Sequence, residues 1–312
     1  MPVWFGLHCP NYTFDAPAPE RLFEQLLGQV HAAEEAGFGL VTVMDHLNQI
    51  PVIGPQDHPM LEAWSTLAAL ARETTRVRLG TLVTGVTYRN PALLAKTATT
   101  LDVISGGRAI FGIGAAWFEA EHVAFGFDFP PIRERMDRLD EALSIAHGMF
   151  EQQRSTFEGR YHRTSDVLNV PRPVQAGGPP ILVGGAGEQR TLRIAAKHAD
   201  MTHWFPIGLD GLAHKTDVLR GYCERIGRDP AEIERTLATP VLVGATEADA
   251  RAIWETLSPE RQAQARPMTV AQAADELRPY IDAGFTGFTF NNNVYRTPEQ
   301  IAVVGELLRL VA

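Results

Sequence analysis

Eight times along the chain a short, apolar, β-rich run gives way to a longer amphipathic stretch, and few folds accept that pattern. The strand runs are Val3–His8, Leu40–Met44, Val77–Val83, Ala109–Ile113, Ile181–Gly184, Met201–Phe205, Pro240–Val243 and Gly287–Phe290. The helical stretches are 20–36, 61–74, 91–104, 132–150, 188–198, 212–226, 247–257 together with 270–283, and 298–310. The strands are apolar on both faces, as a sheet covered by helices requires. Gly37, Gly106-Gly107 and Gly284 sit where helices need left-handed stops, and Thr297-Pro298-Glu299 reads as a helix start. Eight βα units close more naturally into a (βα)8 TIM barrel than into an open sheet. No Pro-, Ser- or Gly-rich linker divides residues 1–312, so one domain is expected. Three connections exceed what a bare barrel needs: 47–60, 157–180 and 258–269. The second contains FEGRYHR, a small β excursion. Segments of this length in a compact domain usually cover a site or carry a contact.

Charge narrows the function. The formal net charge is −9 and no dense Lys/Arg cluster exists to track phosphates, which argues against a nucleic-acid partner. No apolar run approaches the ~20 residues of a membrane span. The opening MPVWFGLHCPNYTF lacks the basic and apolar regions of a signal peptide, so a cytoplasmic protein without a membrane partner is expected. Cys9 and Cys223 offer neither a metal-ligand spacing nor a disulfide framework, and no metal site is expected.

In a parallel barrel, chemistry gathers at the C-terminal ends of the strands. Asp45-His46 ends the second strand, where an imidazole exchanges protons near neutral pH and a carboxylate can orient it. Gly184-Gly185-Ala186-Gly187-Glu188 ends the fifth and opens a helix; small residues there let backbone amides approach a phosphate, though a tight turn alone also needs glycine. Gly112-Ile113-Gly114-Ala115-Ala116-Trp117 lacks the third glycine and the following acid of a dinucleotide fingerprint, but it offers a smooth wall for a planar ring. His8, Thr84, Trp117, His203, Trp204 and Asn291–Asn293 complete the rim. Aromatic and amide groups around one mouth suit a small-molecule substrate. No HExxH, paired CxxC, Walker loop or nucleophile elbow is present.

Four motifs in this order, VMDHL at 43–47, LGTLVTGVTYRNPALLAK at 79–96, SGGRAIFGIGAAWFEAEH at 105–122 and PPILVGGAGEQRTLRIAAKHAD at 179–200, resemble the bacterial luciferase-like superfamily. The similarity is greatest to its branch using coenzyme F420 and runs nearly end to end. It implies a bulge after the third strand with a non-prolyl cis peptide at Leu82–Val83, continued by Thr84 and Gly85, backing the cofactor's central ring. It implies that Asp45 and His46 contact the deazaflavin ring or the reacting substrate, and that Ala115 touches the cofactor's side chain. Gly185, Ala186, Gly187 and Glu188 match the turn that binds its phosphate. A homodimer is also implied.

Two positions depart from the branch's sugar-phosphate dehydrogenases. Their proton-donating glutamate after the fourth strand is replaced by Trp117, and the catalytic tryptophan after their Asp-His pair by Ile50. The expectation is therefore hydride transfer between coenzyme F420 and a less polar organic substrate. That substrate would lie near His8, Ile50, Trp117 and Trp204, with His46 moving the proton and Asp45 orienting it or the ring. An FMN-dependent monooxygenase and a non-catalytic binding member of the family are the alternatives.

Overall fold

The computed structural model describes residues 2–14 and 18–312. Eight parallel strands form the barrel: β1 (Trp4–Cys9), β2 (Leu40–Val43), β3 (Arg78–Thr81, resumed after a break by Thr84–Gly85), β4 (Ala109–Gly114), β5 (Ile181–Gly184), β6 (Met201–Trp204), β7 (Glu234–Ala238) and β8 (Gly287–Asn291). β1 pairs with both β2 and β8, which closes the cylinder. The expected (βα)8 architecture is the one observed.

Strand alternation divides the core in two. Phe5, Leu7, Phe111, Val183, Leu237, Phe288 and Phe290 face outward and pack under the helices in one continuous cluster. Each such side chain, fully buried, stabilises the fold by roughly 1.5–3 kcal/mol. Leu40, Ile110, Leu182 and Met201 face inward and fill the barrel with Trp4, Leu82 and Val83 around them. The lower end is plugged: the Trp4 indole donates to the Glu234 carboxylate, and the Arg78 guanidinium lies 4.9 Å from the Trp4 ring centroid. The barrel therefore opens at its C-terminal end.

The glycine stops take left-handed φ values, +90° at Gly37, +68° at Gly106 and +86° at Gly284. Thr297 caps the last helix in a reciprocal box with Gln300. The FEGRYHR segment turns an antiparallel hairpin between Arg154–Glu158 and Arg163–Leu168.

Two boundaries depart from the sequence reading. The seventh barrel strand is Glu234–Ala238, not 240–243; Leu242–Gly244 instead pairs with Pro267–Thr269 in a separate two-stranded sheet. The cause is composition. Glu234 and Thr236 point into a polar part of the barrel, so this strand does not look apolar on both faces. The helix after β5 starts at Thr191, three residues later than expected, because residues 188–190 form a turn.

Candidate active site at the barrel mouth

A wall of glycines forms one side of the mouth. The Leu82–Val83 peptide is cis, as expected from the resemblance, and it interrupts β3. Val83 reaches across to β4 and β5: a Cβ at Gly114 would lie 2.9 Å from its Cγ2, and one at Gly184 would lie 3.0 Å away. At Gly112 a Cβ would sit 1.9 Å from the Thr81 carbonyl oxygen. Gly112, Gly114 and Gly184 are thus dictated by the bulge, and this explains why a fingerprint-like pattern occurs at the fourth strand. Gly85 is tight for the same kind of reason, with the Tyr88 ring 2.9 Å from where its Cβ would be. Ala116 is held at φ +61°, and the Ala115 carbonyl before it accepts from Arg135 Nε at 3.1 Å.

Asp45 is buried and fully committed. Both its oxygens are taken by Arg89, at 2.6 and 3.1 Å, and Thr84 Oγ1 also donates to it. Arg89 in turn binds Glu62, which caps the helix Ala63–Glu73. Asp45 therefore ties the bulge residue Thr84 to the rim of the barrel, and it does not orient His46.

That task falls to Glu121, a residue the sequence reading did not single out. His46 Nδ1 donates to Glu121 Oε2 at 2.9 Å. The same carboxylate accepts from the Tyr88 hydroxyl and from the amides of Leu47 and Asn48. Burial alone would raise the pKa of Glu121, but the bonds from His46, Tyr88 and Asn48 outweigh it and lower it to about 2. Glu121 is an anion at any working pH. It sits on a short helix, Glu119–Phe125, pinned to the loop after β3 because the neighbouring His122 bonds Thr87 Oγ1 at 2.6 Å. Nothing in the sequence separates Glu121 from the exposed Glu119 two residues earlier; only the helix phase does.

With Nδ1 bound to Glu121, Nε2 is the His46 nitrogen left without a partner among the described residues. Trp117 stands edge-on to the His46 ring at 5.7 Å and is 56% exposed. Ile50 is buried within the loop after β2, where its carbonyl receives the amides of Ile53 and Gly54. Trp204 is not at the mouth. It follows inward-facing His203 on β6, so it points outward and packs on Phe285 at 5.7 Å.

Inside the barrel, His8 Nδ1 bonds Thr42 Oγ1 at 3.0 Å and His203, paired in register with Gly184, bonds Thr236 Oγ1 through Nδ1 at 2.8 Å. Burial pushes both imidazoles down, His8 to about 4 and His203 to about 3. Both are neutral at pH 7.

The turn after β5 has Gly185 at φ +99°, and the Gly185 amide is already used by the His203 carbonyl at 2.9 Å. The amides of Ala186, Gly187 and Glu188 have no acceptor among the described residues. The Glu188 carboxylate is turned away to Lys215 and His214, at 2.5 and 3.2 Å. A ring-shaped group backed by the bulge, with an anionic tail on these three amides, fits what the residues leave open. No group of side chains suited to a metal ion occurs among the described residues.

Residues 4–305 match the luciferase-like monooxygenase family. The chain belongs to that family. The F420-dependent glucose-6-phosphate dehydrogenase of Kineococcus radiotolerans is 31% identical over 293 residues, spanning 83% of this chain and 84% of that protein. The F420-dependent hydroxymycolic acid dehydrogenase of Mycobacterium tuberculosis is 30% identical over 258 residues, spanning 81% and 68%. Among solved structures, an F420-dependent secondary alcohol dehydrogenase with an F420-acetone adduct superposes with a TM-score of 0.80 at 19% identity, over 100% of both chains. The coenzyme F420-dependent tetrahydromethanopterin reductase of Methanopyrus kandleri does so at 0.78 and 19%, over 98% of each. These structures share the fold.

Proposed function

We propose that this luciferase-like protein is a coenzyme F420-dependent oxidoreductase acting on a small organic substrate. The observation that carries the reading is the placement of His46, held by Glu121, at the mouth of a barrel whose neighbouring wall is the Val83 bulge on three glycines. The cofactor assignment draws on relatives that are F420-dependent enzymes.

Leu82, Val83, Thr84 and Gly85 would back the ring, Ala115 would lie along its side chain, and the amides of Ala186, Gly187 and Glu188 would hold its phosphate. Bound F420 supplies a two-electron hydride acceptor or donor. The protein's share is orientation and the proton. His46 Nε2 takes the proton from a substrate hydroxyl, or returns it to a carbonyl oxygen. Glu121 keeps Nδ1–H in place and stabilises the imidazolium that forms. Trp117 covers the reacting carbon with an apolar edge, and Asp45 with Arg89 fixes the wall through Thr84.

The same reading takes residues 1–312 as one domain, working as a homodimer in the cytoplasm. No helix among the described residues is long and apolar enough to cross a membrane. Light scattering on the purified protein tests the dimer.

Cofactor choice is tested by fluorescence quenching and turnover with F420 and with FMN. Micromolar F420 binding with reduction of the deazaflavin is expected. Tight FMN binding with oxygen-dependent product formation would make the protein a monooxygenase instead, and failure to bind either would leave only a ligand- or partner-binding role.

A further inference from the structure

The mouth carries more hydrogen-bonding capacity than proton transfer needs. β8, β1 and β2 are consecutive around the barrel, and they end in Asn291, His8 and the Asp45-His46 pair. His8 and Asn291 are directly paired in register, and both are partly exposed. Alternation points both inward, since Trp4, on the same face of β1 as His8, plugs the barrel, and Thr289, on the same face of β8 as Asn291, lies 3.4 Å from His203. The lower end is closed, so their exposed atoms look out through the mouth.

Their bonding is incomplete in a particular way. His8 is neutral and its Nδ1 is used by Thr42, so Nε2, an acceptor or a donor according to which nitrogen holds the hydrogen, has no partner among the described residues. The Asn291 side-chain amide likewise has no partner among the described residues, while its carbonyl receives the amides of Val294 and Tyr295. His203, the other interior imidazole, differs. The Thr236 hydroxyl donates to the Thr202 carbonyl, so it must accept from His203 Nδ1–H, and Thr289 faces Nε2. His203 is saturated and structural; His8 and Asn291 are not.

All three lysines of the chain are engaged elsewhere: Lys96 by Asn169 and the Val170 carbonyl, Lys197 by Asp140, and Lys215 by Glu188. Arg89 is held by Asp45 and Glu62, and Arg296, beyond β8, reaches the Thr13 carbonyl.

We infer that His8 and Asn291 form a neutral two-point site for a second hydroxyl of the substrate, next to the carbon that exchanges hydride. A hydroxyl is the group that satisfies both partners in either tautomer, donating to His8 Nε2 and accepting from Asn291 Nδ2, or accepting from Nε2–H and donating to Asn291 Oδ1. The substrate class is then an uncharged vicinal diol or, in the reverse direction, an α-hydroxy ketone. A sugar phosphate fits less well, because the three lysines and Arg89 are already held by other groups. The inference rests on the oxidoreductase reading above and specifies the substrate for that same site.

The test compares 2,3-butanediol, 2-butanol and glucose 6-phosphate as F420 substrates, after F420 binding has been measured by fluorescence quenching. If the wild-type protein binds no F420, the cofactor reading fails and kinetics are not the arbiter; the diol site is then judged by spectroscopy on the cofactor-free protein. If F420 binds, the expected result is a kcat/KM for the diol at least about tenfold above that for 2-butanol, with little or no turnover of glucose 6-phosphate. In His8→Leu and Asn291→Leu the ratio of diol to mono-alcohol should fall about tenfold, and His8→Gln, which keeps an acceptor, should restore part of it. Independently, in protein labelled with 15N-histidine, the His8 Nε2 resonance should move on addition of 2,3-butanediol and stay in place with 2-butanol. Equal use of the two alcohols, no turnover of either by F420-loaded protein, preference for glucose 6-phosphate, or an unmoved His8 resonance overturns the inference.

Discussion

His46 Nδ1 lies 2.9 Å from Glu121 Oε2, and this bond, made across 75 residues of sequence, decides which way the imidazole faces. The adjacent Asp45 spends both oxygens on Arg89 and cannot do the same work. Two acidic groups at the mouth therefore have separate duties: Glu121 holds the proton carrier and Asp45 holds the wall.

Removing the Glu121 charge should damage turnover more than cofactor binding. Glu121→Gln keeps the shape but loses the anion that supports a protonated His46, and general acid–base catalysis is worth roughly 10²–10⁴-fold. We expect kcat to drop by about 10²-fold with F420 affinity within a factor of about three of wild type. His46→Asn should cost as much, and the double variant no more than either alone, since the two act as a unit. Multiplicative losses in the double variant would show that they act separately.

Arg89→Leu should be among the most destabilising single changes near the site. It leaves the Asp45 carboxylate, whose side chain is fully buried, without its cation, a loss of about 3–5 kcal/mol. Asp45→Asn in the same chain removes the orphaned charge and should recover part of that loss. Urea unfolding of the four proteins in the cycle measures the coupling, and additivity within about 0.5 kcal/mol would contradict the pairing.

The barrel was legible because its signals are local. Glycine stops at 37, 106 and 284 and the Thr297 cap depend on neighbours a few residues away, and each is found where expected. Residues 234–238 were not legible, since a barrel strand carrying Glu234 and Thr236 inward departs from the doubly apolar pattern. Part of the site was legible by resemblance, as with the cis bond at Leu82–Val83. Glu121 was hidden because its partners are Tyr88 and the 46–48 turn, contacts that only the closed barrel creates. Trp204 was misread for a simpler reason: one residue along a strand reverses the face.

The glycine wall can be probed with methyl groups. Gly112→Ala places a Cβ 1.9 Å from a backbone carbonyl that cannot swing aside, and we expect no folded protein at 37 °C. Gly184→Ala meets only the Val83 methyls, at 3.0 and 3.1 Å, and overpacking of this kind costs about 1–3 kcal/mol. Adding Val83→Ala to Gly184→Ala should return most of that stability, because the offending methyls are gone. Thermal unfolding reads all three, and a double variant no more stable than Gly184→Ala would place the strain elsewhere.

Acid should destabilise the protein well before its carboxylates titrate. His203 is held down to about 3 by burial and by repulsion from His8, against 6.5 in an open chain. A pKa lowered on folding means that the unfolded chain binds the extra proton first. The stability that neutral His203 contributes is complete above pH 6.5, and it is lost progressively as pH falls towards 3. The slope from this residue approaches about 1.4 kcal/mol per pH unit between roughly pH 6 and 4. His8, lowered to about 4, adds in the same direction, as do His198 and His162, both lowered chiefly by burial. Glu121, lowered to about 2, contributes only below pH 4.5. Urea unfolding between pH 7 and 5 should therefore show falling stability, and His203→Asn should flatten that fall by about one proton's worth. An unchanged slope in the variant would mean that His203 is protonated in the folded barrel.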